Sequence, residues 1–313
     1  MSQSPFGPVA VIADPRAGGG RVGHELAAVE KAVVGCGLEY RWEVAETAAE
    51  VSRRTSAALE EGCRFVAAVG DDATVHDVVN GMFRDGRTIV EEPVLAVIPA
   101  TSEPDLARSF GLPTDVAGAV AHLLGDQVYP FDVMKAQVNR AGAGPDGPLV
   151  RYVHNVAEVG FHASAWLRRG RLPERLGNAR RFLGFWGAYV ATRPAEITID
   201  VDSRSHRLRA WSVVVGNGQF TEGGLRMSPR SFPGDGVLDV LVFTGPKSDA
   251  YRMLPRIFRH GDHVPDPGIK ELRSRLVLRI ESERRLDVVA DGLPLGSTPA
   301  SFQVIPRQIL LKL

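Results

Sequence analysis

In the first third of the chain, short strand-like runs, apolar throughout except at 40–44, alternate with stretches of helical spacing. The runs at 9–13, 40–44, 65–69 and 94–98 predict four strands. Between the first two, Val22, Leu26, Val29 and Val33 recur every three or four residues and predict a helix that Gly35-Cys36-Gly37 stops. Further helices are predicted over 48–61, from about Thr74, and near Asp105. Regular alternation of this kind predicts a parallel sheet covered by helices. The pattern changes near residue 130. Short segments follow at 149–156, 196–201, 208–215, 238–243, 276–280 and 286–290, separated by turn signals such as Asn217-Gly218 and Gly234-Asp235-Gly236. They predict a mostly antiparallel β domain, interrupted by a helical insert over about 173–192. Residues 140–147 are rich in Gly and Pro and predict a surface loop.

Composition narrows the function classes. At 313 residues and 44% hydrophobic there is room for two domains. A net charge of +0 excludes global attraction to nucleic acid. Cys36 and Cys63 lie among small and apolar residues with no CxxC or Cys/His cluster, so neither a disulfide framework nor a zinc site is expected. The first eight residues lack a basic region and a long apolar core, and the apolar stretch at 182–191 is about half of what spans a bilayer. A cytoplasmic protein with reduced thiols is predicted.

The most informative segment is Gly70-Asp71-Asp72-Ala73-Thr74, between a predicted strand and a predicted helix. In α/β folds such a strand end is where ligands bind. The helix start adds free N–H groups and partial positive charge that suit phosphate. Phosphate-binding turns of this kind are rich in glycine and uncharged, whereas this one carries two adjacent aspartates.

An ordered set of motifs resembles the diacylglycerol kinase and sphingoid-base kinase superfamily. Asp14-Pro15-Arg16-Ala17-Gly18 is similar to that family's Asn-Pro-x-Ser-Gly, and Gly70-Asp71-Asp72-Ala73-Thr74 to its Gly-Gly-Asp-Gly-Thr. The segment at 98–113 resembles a Pro-x-Gly-Thr-Gly-Asn-Asp-Phe-Ala-Arg stretch, and Asn155 with Gly160-Phe161 an Asn-x-x-x-x-Gly-Phe. The match is fullest over 213–239, with Gly216-Asn217-Gly218, Gly223-Gly224, Pro229 and Asp235-Gly236-Val237-Leu238-Asp239. Asp291-Gly292-Leu293 resembles an Asp-Gly-Glu. The resemblance implies an α/β plus β architecture with a cleft between the domains. A phosphofructokinase-like domain would cover 1–130 together with about 302–313, and a β-rich domain 131–301. It implies ATP and Mg²⁺ as cofactors and a lipid or small hydrophobic hydroxyl as acceptor. Nucleotide contacts would fall to Gly18, Gly70, Asp71, Thr74, Thr101, Ser102 and Glu103. Asp72 and Asp291 would be catalytic, and Asp235 and Asp239 would hold a structural Mg²⁺. Transient contact with a membrane surface and a homodimer are compatible with it, and a nucleic-acid partner is not.

The chemistry departs from that pattern at defined positions. Asp71 stands for a glycine, Ala73 for another, and Thr101-Ser102-Glu103-Pro104 for Gly-Thr-Gly-Asn. Pro104 removes a backbone donor. A carboxylate facing a phosphate at about 4 Å costs about 4 kcal/mol at an effective dielectric near 20. Leu293 replaces the glutamate that resembles a general base, which leaves Asp291 as the substitute if it reaches the hydroxyl. Alternatives therefore stay open. One is a scaffold without ATP chemistry, either a ligand-binding pseudokinase or an acid/base enzyme using clustered carboxylates. Another is an NAD kinase, which shares the acidic turn. Simpler roles compete as well: helix capping for Asp72 and Thr74, chain reversal at Asp235 and at Asp291-Gly292, and plain packing for His24, His76, His154 and His162. Arginines 168, 169, 171, 175, 180 and 181 flank Trp166, Phe182, Phe185 and Trp186. They form either a basic-aromatic lip for an anionic lipid or phosphorylated ligand, or a solvated helix whose aromatic face packs inward.

Overall fold

The strand segments of the first third form a parallel sheet in which all but the half-buried edge strand 40–44 are buried on both faces. In the computed structural model, which describes residues 4–99, 105–139, 148–177, 179–259 and 261–313, they are β1 (Val9–Ala13), β2 (Tyr40–Val44) and β3 (Phe65–Gly70), followed after a small hairpin, β4 (Phe83–Arg84) and β5 (Arg87–Thr88), by β6 (Val94–Pro99). Burial on both faces is why β1, β3 and β6 read as continuous hydrophobic segments, whereas the edge strand β2 is half-buried and alternates apolar and charged residues. The order is β2-β1-β3-β6, all parallel, and Leu310 and Leu311 near the C-terminus add a last parallel pairing to Val94 and Leu95. Alternate residues Val9, Val11, Phe65, Ala67, Val94 and Ala96 share a core with helices α1 (Arg21–Gly35) and, further along the chain, residues 116–121. Helices α2 (Ala48–Glu60) and α3 (Asp72–Gly81) pack on each other, α2 also touching β1 and α3 touching β3. Two short helices, α4 (Asp105–Phe110) and α5 (Val116–Ala121), complete this part.

The chain separates into two units, Met1–Val133 with Pro306–Leu313, and Met134–Ile305. The second is a β-sandwich. After β7 (Val128–Asn139) come β8 (Leu149–Val153) and β9 (Val156–Gly160), then helices α6 (Phe161–Gly170) and α7 (Ala179–Ala191). The strands β10 (Ala195–Val201), β11 (Arg204–Ala210), β12 (Ser212–Gly216) and β13 (Leu238–Phe243) follow, then helix α8 (Asp249–Arg259). Strands β14 (Ile269–Ser274), β15 (Val277–Ser282), β16 (Asp287–Ala290) and the long β17 (Leu293–Lys312) end the chain. One layer runs β14-β13-β12-β9-β16-β17, while β15 and β10 continue from another part of β17 towards β11. Val159, Val213, Val215, Val240, Ile197 and Ile280 meet between the layers.

The intervening residues of β12 and β13 face the other way. Val214, Leu241 and Phe243 pack with Phe161, Trp211 and residues of α8. A strand covered on both sides again reads as an apolar segment, 238–243, interrupted only by Asp239.

Several boundaries differ from the sequence reading. The segment 149–156 is two strands, because His154-Asn155 turns the chain between β8 and β9. The segment 208–215 breaks at Trp211. The helical insert is two helices and starts at Phe161. Asn217-Gly218 is not a two-residue hairpin turn, since β13 begins only at Leu238 and both residues donate N–H groups to the Asn155 carbonyl at 2.9 and 2.8 Å. Helix α8 escapes a sequence reading because Pro255 lies inside it.

Gly70 ends β3 where the next turn folds back on it. A Cβ there would overlap the side chain of Thr74, which is fully buried. Gly70→Ala should therefore destabilise the protein by about 1–3 kcal/mol through overpacking. Thermal unfolding checks this, and adding Thr74→Ala should recover part of the loss.

Candidate functional site

The first cluster lies where β1 and β3 end. The chain leaves β1 through Gly18, Gly19 and Gly20, all at left-handed φ of 62, 71 and 87°, a conformation that would strain other residues. Asp14 braces this loop by accepting from the backbone and guanidinium of Arg16, at 2.9 Å from N and 2.7 Å from Nη2. Asp71, not Asp72 or Thr74, is the N-cap of α3. Its Oδ1 accepts from Thr74 N at 3.2 Å, and its Oδ2 accepts from Gly18 N at 3.0 Å. One carboxylate thus takes a donor from each of two loops. Gly18, Gly70, Asp71 and Thr74 are brought together, and the anion resting on their N–H groups is Asp71 itself.

Asp72 points to a different partner. Its two carboxylate oxygens accept from the Asp105 and Leu106 N–H groups at 2.9 and 3.1 Å, so it ties the start of α3 to the start of α4. Both aspartates thus satisfy the orphan N–H groups that helix starts leave. Thr101, Ser102 and Glu103, with Pro104, lie outside the described residues. His76 is buried within α3.

Asp291 belongs to the second unit. With Gly292 it forms the two-residue turn between β16 and β17, both at positive φ (48 and 71°), as the Asp-Gly hairpin turn requires. Its carboxylate accepts from His154 N at 3.0 Å and Asn155 N at 2.9 Å, and its Oδ2 lies 2.9 Å from His154 Nδ1. Asn217 donates to the His154 carbonyl at 2.8 Å. This buried node fastens the β8–β9 turn to the β16–β17 turn. The fold thereby gives His154, Asn155 and Asn217 a part in the site that the sequence reading does not assign them. Their signal was the motif spacing at 155–161 and 216–218.

Among the described residues Asp235 and Asp239 share no hydrogen-bond partner. Asp235 is exposed and accepts from Val237 N at 3.0 Å in a local turn. Asp239 is buried, and Arg273 Nε donates to it at 2.9 Å. An arginine on the carboxylate competes with any cation, so the pair as built does not fit a Mg²⁺ site. Asp71, Asp72, Asp239 and Asp291 each bind a separate set of backbone donors or an arginine.

The second unit also contains a cavity of about 300 Å³ that sequence reasoning did not find. Phe161, Phe185, Trp186 and Trp211 supply aromatic walls, with Met227 and Met253 between them. Phe161 stands edge-on to Trp211, with centroids 5.1 Å apart. A polar cluster of Glu222, Arg169 and Arg181, with His162, interrupts the lining. Glu222 receives Arg169 Nη1 at 3.5 Å, while Arg181 donates to the Glu222 carbonyl at 3.2 Å. Burial pushes the Glu222 carboxyl up, and Arg169 and Arg181 oppose the shift. His162 sits between Trp211 and Phe243, with Nδ1 2.8 Å from Ser212 Oγ. Because Ser212 Oγ donates to the Val159 carbonyl, His162 is the donor to Ser212. The cavity stays hidden in the sequence because its walls come from six separated stretches between residues 161 and 257.

A parallel α/β unit whose strand ends carry acidic and glycine turns, joined to an antiparallel sandwich roofed by helices, defines the class of two-unit kinase folds. The chain belongs to the diacylglycerol kinase and YegS-like lipid kinase family. Residues 8–136 match the diacylglycerol kinase catalytic domain, and 155–312 match the YegS C-terminal NAD kinase beta sandwich-like domain. A probable lipid kinase YegS-like protein of Pseudomonas aeruginosa is 27% identical, over 97% of this chain and 93% of its own. The diacylglycerol kinase of Bacillus subtilis is 23% identical, over 82% and 80%. A crystal structure of a putative diacylglycerol kinase from Bacillus anthracis superposes with a TM-score of 0.75 at 20% identity, covering 97% of this chain and 94% of that one. Among the described residues no helix is long and apolar enough to cross a membrane.

Two buried histidines make the second unit acid-sensitive. Burial lowers His162 to about 3, with the charge of His263 adding to the effect. Burial also lowers His263 to about 4, against the raising effect of its bond to the Met227 carbonyl. Both folded values lie below the unfolded value of about 6.5, so the unfolded chain takes up these protons first as pH falls. Stability is therefore fully present above about pH 6.5. It should fall by up to about 1.4 kcal/mol per pH unit per histidine, for His263 down to about pH 4 and for His162 down to about pH 3. Melting curves across pH 4–7 check this, and His263→Gln should flatten the dependence.

Proposed function

We propose that this chain is a lipid phosphotransferase of its family, and that the apolar part of its acceptor lodges in the aromatic cavity of the second unit. The cavity carries the reading. Its walls are almost wholly apolar, and an apolar concavity with few polar groups is what an acyl or sphingoid chain requires. At its edge Phe182 and Tyr251 line the cavity and are also 63% and 62% exposed, which suits entry from a lipid surface. Lipid kinase relatives across nearly the full length agree with a lipid acceptor. Trp186 and Trp211 are built-in reporters. Titration with a brominated diacylglycerol in mixed micelles should quench tryptophan emission, and Ala165→Phe, which fills the cavity, should weaken that response at least tenfold. An unquenched wild type would sink the proposal.

Kinship implies ATP and a divalent cation on the donor side. As built, the loops do not fit a phosphate, because Asp71 already occupies the Gly18 and Thr74 N–H groups. A nucleotide has to displace that carboxylate or face it. Asp71→Gly should therefore tighten ATP binding at least tenfold, about 1.4 kcal/mol. Glycine is itself a tolerated N-cap, so the cap should cost the variant only a few tenths of a kcal/mol, with about 1 kcal/mol more for the lost bond from Gly18 N. Calorimetric titration with and without Mg²⁺ measures the effect.

A further inference from the structure

A second cavity of the sandwich unit, about 490 Å³, is unlike the first in every chemical respect. It lies among α6, the end of α7 and the connection from β15 to β16. Its walls carry Arg168, Arg193, Arg284 and Arg285, the hydroxyls of Ser164 and Thr192, and one acid, Asp287. The charges are poorly compensated. Arg193 and Arg285 make no ion pair among the described residues. Arg284 reaches only Glu283 at 3.7 Å, an exposed pair of little strength. Arg171 and Arg168 both act on Asp287, whose carboxyl burial pushes up, so a single aspartate faces more cations than it neutralises.

Arg168 supplies the second observation. Its stem runs beside Gly187 of α7, where a Cβ would come within 3.4 Å of its Cδ. Its Nε is buried and has no hydrogen-bond partner among the described residues. A buried donor left unpaired costs about 1–3 kcal/mol. Close by, Lys247 donates to the carbonyls of Tyr189 and Thr192, which satisfies the end of α7 and adds positive charge near Arg193. Nothing in the cavity wall balances this concentration of cations.

Guanidinium groups grip oxyanions through paired N–H donors, and several converging forks favour an anion with more than two acceptor oxygens. A planar carboxylate offers two oxygens, whereas a phosphate offers enough to meet Arg168, Arg193 and Arg285 together. We infer that this cavity binds a phosphate group, carried either by a phospholipid headgroup or by a soluble phosphate.

The test uses the full chain, with inorganic phosphate followed by calorimetry and, separately, sedimentation with vesicles of phosphatidylcholine alone or mixed with phosphatidylglycerol. Three variants are compared: Arg168→Gln, the double variant Arg193→Gln with Arg285→Gln, and the control Arg207→Gln. Arg207 lies on β11, its side chain 78% exposed, so the control removes the same type of charge elsewhere. Wild type should bind inorganic phosphate or the phosphatidylglycerol vesicles, and both cavity variants should lose at least tenfold in affinity while the control does not. Binding of free phosphate identifies a soluble ligand, and binding of phosphatidylglycerol vesicles alone identifies a headgroup. Both outcomes uphold the site. Because Arg193 and Arg285 are exposed, their double variant answers the question even if Arg168→Gln unfolds. If wild type binds neither probe, or Arg207→Gln weakens binding as much as the cavity variants do, the inference fails.

Discussion

Backbone N–H groups left without partners at turns and helix starts must find acceptors, and in this protein aspartates supply them. Asp71 joins the glycine loop to α3, Asp72 joins α3 to α4, and Asp291 joins two turns of the sandwich. Asp202 does the same between β10 and β15, accepting from Leu276 N at 2.9 Å, and Asp132 accepts from Arg307 N at 2.8 Å. Each carboxylate stabilises several segments at once, because charged acceptors make stronger hydrogen bonds than neutral ones. The acidic residues that look catalytic in the sequence are therefore first of all fasteners.

This constraint bears directly on function. An anion-accepting loop needs open donors, and a fold needs satisfied ones. Asp71 meets the second need at the expense of the first, whereas a glycine in its place would leave the donors open for a ligand. The family relationship and the local hydrogen bonding thus pull in opposite directions at one residue, Asp71.

The sandwich unit resolves a different conflict. Its central strands β12 and β13 are apolar on both faces, so one face fills the sandwich and the other must be covered. Helices α6, α7 and α8 cover it incompletely, and the gap is the aromatic cavity. The arginine-lined cavity involves the same two helices, α6 and α7. A single two-helix insert thus supplies walls to both an apolar and a cationic recess.

The parallel sheet was legible because short strand-like runs between helical spacings have few other solutions, and β1, β2 and β6 sit within a residue of their predicted bounds. The ordered motifs likewise carried the family, since spacing along a chain survives without coordinates. Which donor each aspartate meets was not legible: Asp71 and Gly18 are 53 residues apart, and Asp291 and His154 are 137 apart. The two cavities were equally hidden, being gaps between segments that no local pattern relates. Periodicity records which residues must leave water, a local property of each element. Hydrogen-bond partners and cavities arise only when distant elements pack, and that packing decided here which acidic groups are anchors and where a ligand can lodge.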